Sequence, residues 1–189
     1  IADFSVPASV CLPDAIANFT NRSSISDGTG NLLRYLWDFG DLPSVPNNSS
    51  TVKDPSHRYT NTGPFNVSLR VTSNAGCIHD TMILFNNIHP QPKTDFRFSK
   101  PGICIGDSVT MTDASNSMDG STVQWNWSLG DGSIRSISGF TYTYAAVGTY
   151  LVTLFTMNSH GCYSDTVSKL FTVNPYPTVY AGPDRVVLS

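Results

Sequence analysis

The chain has 189 residues, of which 40% are hydrophobic and 11% aromatic, enough apolar content for one or two folded domains and too much for a disordered linker. Charged residues make up only 13%, and the net charge of −3 argues against nucleic acid or an anionic membrane as the main partner. No run of about 18 apolar residues occurs, so no segment reads as a membrane-inserted helix.

Strand signals dominate from the start. Ala15–Thr20 and Leu32–Phe39 read as the first strands, with the turn cluster Asp27-Gly28-Thr29-Gly30 between them. Beyond Asn61-Thr62-Gly63-Pro64, the residues Phe65, Val67, Leu69 and Val71 alternate with Asn66, Ser68, Arg70 and Thr72, a period of two with one face buried. Thr81–Asn86 follows, and His89-Pro90-Gln91-Pro92 then breaks any strand. Ser108–Thr112 and Thr122–Leu129 come next, bounded by the turns Asp119-Gly120 and Asp131-Gly132. Tyr150, Val152, Leu154 and Thr156 repeat the alternation, against an outward face that includes Phe155, and Thr166–Val173 is the last full strand. Asn174-Pro175-Tyr176-Pro177 closes that region. Thr178 to Pro183 then resembles the opening strand of a further module. No helical period appears.

The same pattern occurs twice. Trp37-Asp38-Phe39-Gly40-Asp41, Tyr59, Gly63, Phe65 and Cys77 match Trp127-Ser128-Leu129-Gly130-Asp131, Tyr144, Gly148, Tyr150 and Cys162. The tryptophans are offset by 127 − 37 = 90, and the tyrosines and second cysteines by 144 − 59 = 162 − 77 = 85. A period of that size is too long for a solenoid and suits a small all-β domain. The expected division is therefore a first β-sandwich over 1–89, a second over 90–175, and a linker with the start of a truncated third module over 176–189. Short proline-bearing linkers predict an extended, semi-rigid array. The chain begins at Ile1 without a Met or signal-like segment, which predicts a piece of a larger protein whose export signal lies elsewhere.

Four cysteines fall two per repeat, and the expected bonds are Cys11–Cys77 and Cys104–Cys162, each within its own module. Four buried free thiols are the alternative, and zinc is disfavoured because no Cys-x-x-Cys pair exists. Widely spaced disulfides imply an oxidising compartment. The repeats differ most in the Leu42–Ser50 stretch of the first, an insertion that reads as a tolerated surface loop or a contact site.

Trp37 to Asp41, followed by Pro55-x-His57-x-Tyr59 and Gly63-x-Phe65-x-Val67-x-Leu69, resembles the PKD (polycystic kidney disease) repeat, in two copies plus a trailing fragment. The added cysteines, as Gly76-Cys77 and Gly161-Cys162, are similar to those of PKD-like modules in gliding-motility and adhesin-like surface proteins of Bacteroidetes. The resemblance implies two tandem immunoglobulin-like β-sandwiches. It also implies a setting in bacterial surface proteins or beside the catalytic domains of secreted proteases, collagenases and chitinases. The second copy departs from the first at Ser128 and Leu129 and carries Tyr142 in place of His57.

The residues themselves give physical reasons for the pattern. Trp37 and Trp127 fill the space between sheets, Gly40 and Gly130 allow a tight turn, and Asp41 and Asp131 bond local N–H groups. Tyr59 and Tyr144 resemble a corner residue whose hydroxyl reaches backbone. Tyr35 and Trp125 share the parity of the tryptophans and read as core, which leaves Phe155 as the better surface aromatic. Asp38 with Asp41 is a carboxylate pair, but the second repeat has Ser128 instead of Asp38. His57, His79, His89 and His160 lack any nucleophile context, and His57 is expected to bond within its own corner. No catalytic residue or cofactor is expected. Calcium is a weak candidate at the matching turns of Asp27 and Asp119, since one carboxylate per turn is far from the six to eight oxygens it takes. The expected function is a non-catalytic spacer, with adhesive contacts to extracellular polysaccharide or protein, in a large secreted or outer-membrane-attached bacterial protein of adhesin or gliding-motility type. Its partners would include neighbouring modules of the same chain. The alternative is an accessory or linker module of a secreted polysaccharide- or protein-degrading enzyme.

Overall fold

The protein was analysed as a computed structural model that describes residues 1–26, 30–180 and 182. The chain forms two compact units. The first comprises Ile1–Lys93 together with Asn116–Val123 and Thr156–Asp165; the second holds Thr94–Ser115, Gln124–Phe155 and the described residues from Thr166 onward.

In the first unit the strands are β1 (Phe4–Ser5), β2 (Val10–Cys11), β3 (Ala15–Asn18), β4 (Thr20–Asn21), β5 (Arg34–Asp38), β6 (Ser49–Ser50), β7 (Ser56–Tyr59), β8 (Phe65–Thr72), β9 (Ile78–Phe85) and β10 (Ile88–His89). One sheet runs β6-β5-β8-β9, and the remaining strands pair as β1-β4, β3-β7 and β10-β2. The β8 register places Trp37 beside Leu69 and Phe65 beside Phe85, so the alternation read in the sequence lays Phe65, Val67, Leu69 and Val71 on the buried face. Ala15 and Ala17 of β3 and Tyr59 of β7 are buried with them. Two sheet faces thus close over one apolar layer.

The second unit repeats the plan with β11 (Phe96–Phe98), β12 (Gly102–Cys104), β13 (Val109–Asp113), β14 (Thr122–Ser128), β15 (Ile134–Arg135), β16 (Gly139–Tyr142), β17 (Gly148–Asn158) and β18 (Val167–Asn174). Its sheets are β12-β18-β17-β14-β15 and β11-β13-β16. The turn ends of β14 and β17 extend into the first unit.

The repeated residues recur atom for atom. Trp37 lies edge-on to Phe4 at 5.0 Å between centroids, and Trp127 to Phe96 at 5.0 Å. Each indole N–H donates to a backbone carbonyl, of Val52 and of Ile137, at 2.9 Å. Full burial with the one polar atom satisfied is how a core tolerates tryptophan. The tyrosine hydroxyls do the same, Tyr59 to the Phe39 carbonyl at 3.0 Å and Tyr144 to that of Leu129 at 2.9 Å. Gly40 and Gly130 take φ of +69° and +84°, and a Cβ there would meet the backbone of Asn66 at 2.6 Å or of Leu151 at 2.8 Å. Both the left-handed turn and the close strand approach require glycine.

The Leu42–Ser50 insertion is ordered from within. A 3-10 turn covers Leu42–Ser44, and Asn48 accepts from the Asp41 N–H at 2.6 Å while donating to Asp38 at 2.8 Å. Tyr35 and Trp125 are half-buried against the cores, and the Trp125 N–H donates to Asp113 at 2.7 Å. Phe155 is half-buried on the outward face of β17, beside Thr153 and Asn126. Residues 175–180 carry no strand, and the rest of the expected third-module segment lies outside the described residues apart from Gly182.

Candidate functional site

Among the described residues, Asp41 and His57 form the most buried ion-pair contact of the first unit. His57 Nε2 and Asp41 Oδ2 lie 3.0 Å apart, with side chains 4% and 1% exposed. The imidazole is stacked on Phe39 at 4.4 Å and meets Tyr59 edge-on at 4.5 Å. A His–Asp pair serves catalysis only when the imidazole also faces a nucleophile and substrate; here the imidazole is buried against Phe39 and Tyr59. In the second repeat Tyr142 takes the place of His57, and its hydroxyl donates to Asp131 at 2.7 Å and lies 2.8 Å from the Ser133 hydroxyl. One corner is built with two different chemistries, which marks it as structural. Burial and the neighbouring carboxylates raise the Tyr59 phenol far above its ordinary value, with Asp41 the leading charge; burial and Asp131 do the same for Tyr144.

The cysteines pair differently from the sequence expectation. Cys11 is bonded to Cys162, with Cα atoms 5.4 Å apart, while Cys77 and Cys104 are free thiols. The bonds Cys11–Cys77 and Cys104–Cys162 are therefore replaced by a single link between repeats, which lies wholly in the first unit. The reason is strand length. Cys11 pairs across from His89, beyond the last residue of β9, whereas Cys77 precedes its first residue, Ile78. Eight residues at about 3.3 Å each put roughly 26 Å of strand between them, against the 7 Å that a disulfide spans. The second repeat has the same arrangement, for Cys104 pairs across from Asn174 at the end of β18 and Cys162 precedes that strand.

Around the bond, two turns and a strand end converge. His89 ends β10, Asp119 lies in the turn before β14, and His160 in the turn after β17. Ser9 donates to the His160 carbonyl at 2.9 Å, Leu12 N–H to the His89 carbonyl at 3.0 Å, and the Asn158 amide to the Pro90 carbonyl at 3.3 Å. Asn158 Oδ1 accepts from the backbone of both His160 and Cys162. Asp119 Oδ2 lies 2.6 Å from His89 Nδ1, and its Oδ1 lies 3.6 Å from His160 Nε2. The His89 hydrogen bond holds the Asp119 carboxyl below its ordinary value.

Among the described residues this is the cluster that could hold a metal ion, its donor atoms lying within 4.8 Å of one another. Two imidazoles and one carboxylate suit zinc or copper better than calcium. The rings stack at 3.7 Å with planes 7° apart, so their in-plane lone pairs run side by side rather than toward a common point. As it stands, the cluster is a carboxylate bridging two imidazoles. Of the two calcium candidates, Asp119 is thus engaged with histidines, and Asp27 lies outside the described residues. In the sequence His89 and His160 lack any nucleophile context and lie 160 − 89 = 71 residues apart with no motif linking them, so nothing there signals that they meet.

A groove of about 400 Å³ lies on the outward face of the β5-β8-β9 sheet, lined by Leu36, Asp38, Ser68, Arg70, Asp80 and Met82. Arg70 Nε donates to Asp80 at 2.8 Å across its floor, and Met82 and Leu84 on that face are 63% and 57% exposed.

Two immunoglobulin-like sandwiches with a repeated Trp, Gly-Asp and Tyr framework define a tandem β-sandwich protein. The sequence matches the PKD domain family over residues 2–84 and again over 89–173, and the chain belongs to that family. It is similar to the pre-pro-metalloprotease PrtV of Vibrio cholerae serotype O1, 30% identical over 152 residues, covering 79% of this chain and 16% of that protein. It is also similar to collagenase ColA of Clostridium perfringens, 25% identical over 171 residues, covering 90% of this chain and 14% of the collagenase. The crystal structure of the PKD1 domain of Vibrio cholerae PrtV is 27% identical, covers 44% of this chain and 98% of that domain, and gives a TM-score of 0.39. The chain thus spans about a sixth of the length of these curated relatives.

Proposed function

We propose that the chain is a non-catalytic structural segment of a large secreted or cell-surface bacterial protein, linking or spacing its functional parts. The observation that supports this best is the fate of the repeated tryptophans, glycines, aspartates and tyrosines, which are taken up within their own sandwiches. The tryptophans fill the cores, the glycines make the turns, and the carboxylates bond His57 or Tyr142. The Cys11–Cys162 bond agrees with an oxidising compartment. Both PrtV and ColA are named as proteases, and the chain corresponds to a small fraction of each, which favours an accessory or linker module beside a catalytic domain. The test is an assay of the purified chain on peptide, ester and glycoside substrates. No turnover is expected, and activity that survives repurification and is lost in His57→Ala would overturn the reading.

An adhesive role, as in adhesin or gliding-motility surface proteins, is a second reading, favoured by the outward groove with its exposed Met82 and by the exposed Leu84 on the same face. Binding to extracellular polysaccharide or protein that falls in Met82→Lys would support it; retention on the same ligands at wild-type level would exclude that face.

A further inference from the structure

The bonded and free cysteines occupy repeated positions. Cys11 and Cys104 each sit on a two- or three-residue strand in parallel register with the end of the repeat's last strand, opposite His89 and Asn174. Each is followed by an N–H that donates to that partner's carbonyl, Leu12 to His89 at 3.0 Å and Ile105 to Asn174 at 2.9 Å. Cys77 and Cys162 sit in one and the same turn. In both, the N–H of Ser73 or Asn158 donates to the cysteine carbonyl, at 2.9 and 3.0 Å, and the glycine N–H donates back to Ser73 or Asn158. The side chain of Ser73 or Asn158 accepts from the cysteine N–H at 3.1 and 3.0 Å, and Gly76 and Gly161 both have φ of +82°. The link that is formed joins the strand cysteine of the first repeat to the turn cysteine of the second. What remains is one turn cysteine, Cys77, exposed, and one strand cysteine, Cys104, half-buried.

We propose that Cys77 and Cys104 are the two open halves of this same staple, each cross-linked to a neighbouring PKD module of the same polypeptide. Cys104 takes the Gly-Cys turn of a module that follows, and Cys77 takes the strand cysteine of a module that precedes. The formed bond shows that a strand cysteine and a turn cysteine from successive repeats meet at disulfide distance. The repeated backbone hydrogen bonds show that both open halves are already in the bonding conformation. Repetition of such a heterologous contact makes an open, head-to-tail chain rather than a closed ring. With oxidised glutathione as the two-electron oxidant, the Cys104 thiolate attacks its disulfide and one glutathione leaves as thiol. The turn cysteine's thiolate then attacks the mixed disulfide, the new S–S bond forms, and the second glutathione leaves. The proposal rests on the reading of the chain as a segment of a longer modular protein.

The 189-residue chain tests it directly, because one copy supplies the strand cysteine and another the turn cysteine. Concentrated protein in a glutathione redox buffer is separated by non-reducing electrophoresis and mapped by mass spectrometry. Cys11–Cys162 stays intact, and intermolecular Cys104–Cys77 junctions exceed either homotypic junction by roughly tenfold, against the twofold of random pairing. Cys77→Ser and Cys104→Ser, with folding checked by circular dichroism, each remain monomeric alone and form a disulfide dimer when mixed. Homotypic junctions at chance frequency, an intramolecular Cys77–Cys104 bond, or thiols that accept only glutathione would each overturn the proposal. Substrate turnover by a chain that still links head to tail would instead overturn the non-catalytic reading and leave the staple standing.

Discussion

Trp37 and Trp127 are the residues on which each sandwich closes, at 0% and 2% exposure with ring contacts at 5.0 Å. Truncation leaves a cavity lined by other rings and an unpaired carbonyl at Val52 or Ile137, so Trp37→Ala or Trp127→Ala should each cost about 3–5 kcal/mol. Urea unfolding of each variant checks this, and near-wild-type stability would mean that the ring is not holding the core. Removing His57 leaves the Asp41 carboxylate buried with no partner for either oxygen, since Oδ1 has none already. A loss of about 3–5 kcal/mol is expected for His57→Ala, while Asp41→Asn with His57 retained should cost less. Asp119 titrates in a known direction. Its carboxyl in the folded chain lies below the unfolded value, so the folded state binds its proton less well, and the stabilisation is complete above roughly pH 4 and disappears as pH falls through the lowered value. Urea midpoints of the wild type and Asp119→Asn, compared from pH 6 to pH 3, should converge toward the acid end. A constant gap would refute the His89–Asp119 bond.

At the scale of elements, the hairpin turn after β17 is tied covalently to β2 through the Cys11–Cys162 bond and by hydrogen bonds to the turn before β14, where Ser159 N–H donates to the Ser121 carbonyl at 2.8 Å. Closing a loop with a separation of 151 residues removes unfolded-state entropy worth about 5 kcal/mol in the chain-entropy model, less any strain. Cys11→Ser should therefore lower the unfolding midpoint of the first unit, and reductant should do the same to the wild type while leaving the Cys11→Ser variant unmoved. Equal sensitivity of both to reductant would place the bond elsewhere. The longer strands were legible because alternation gives them one wet and one dry face, as in β8 with its strictly alternating burial. The strands β1, β2, β6, β7, β10, β11, β12, β15 and β16, of two to four residues each, were not read from the sequence. So few residues barely display a period, and they are strands through the partner each finds across the sandwich.

For the whole molecule, the disulfide changes what the covalent chain does under tension. Load applied at the termini passes from Cys11 to Cys162 directly, so residues 12–161 are shielded from it. At roughly 3.5 Å per extended residue, about 500 Å of contour length stays locked while the bond is oxidised. Single-molecule stretching should show that length only after reduction. Its release in the oxidised protein would contradict the Cys11–Cys162 pairing. A chain linked in this way resists extension by covalent routing as well as by folding.

The sequence by itself determined the fold class, the two repeats and the core of each, because tryptophan, glycine and tyrosine at repeated spacings admit few other packings. It also located every cysteine on an equivalent position of its repeat. Which cysteine met which was decided by the tertiary structure. Pairing within a module looked natural from the spacing of Cys11 and Cys77, yet an eight-residue strand holds them at opposite ends of one sandwich. The convergence of His89, Asp119 and His160 was equally invisible, since it comes from a strand end and two turns with no common motif. Local patterns record which face of a strand is dry, whereas the ends of strands meet only where the folded chain brings them together.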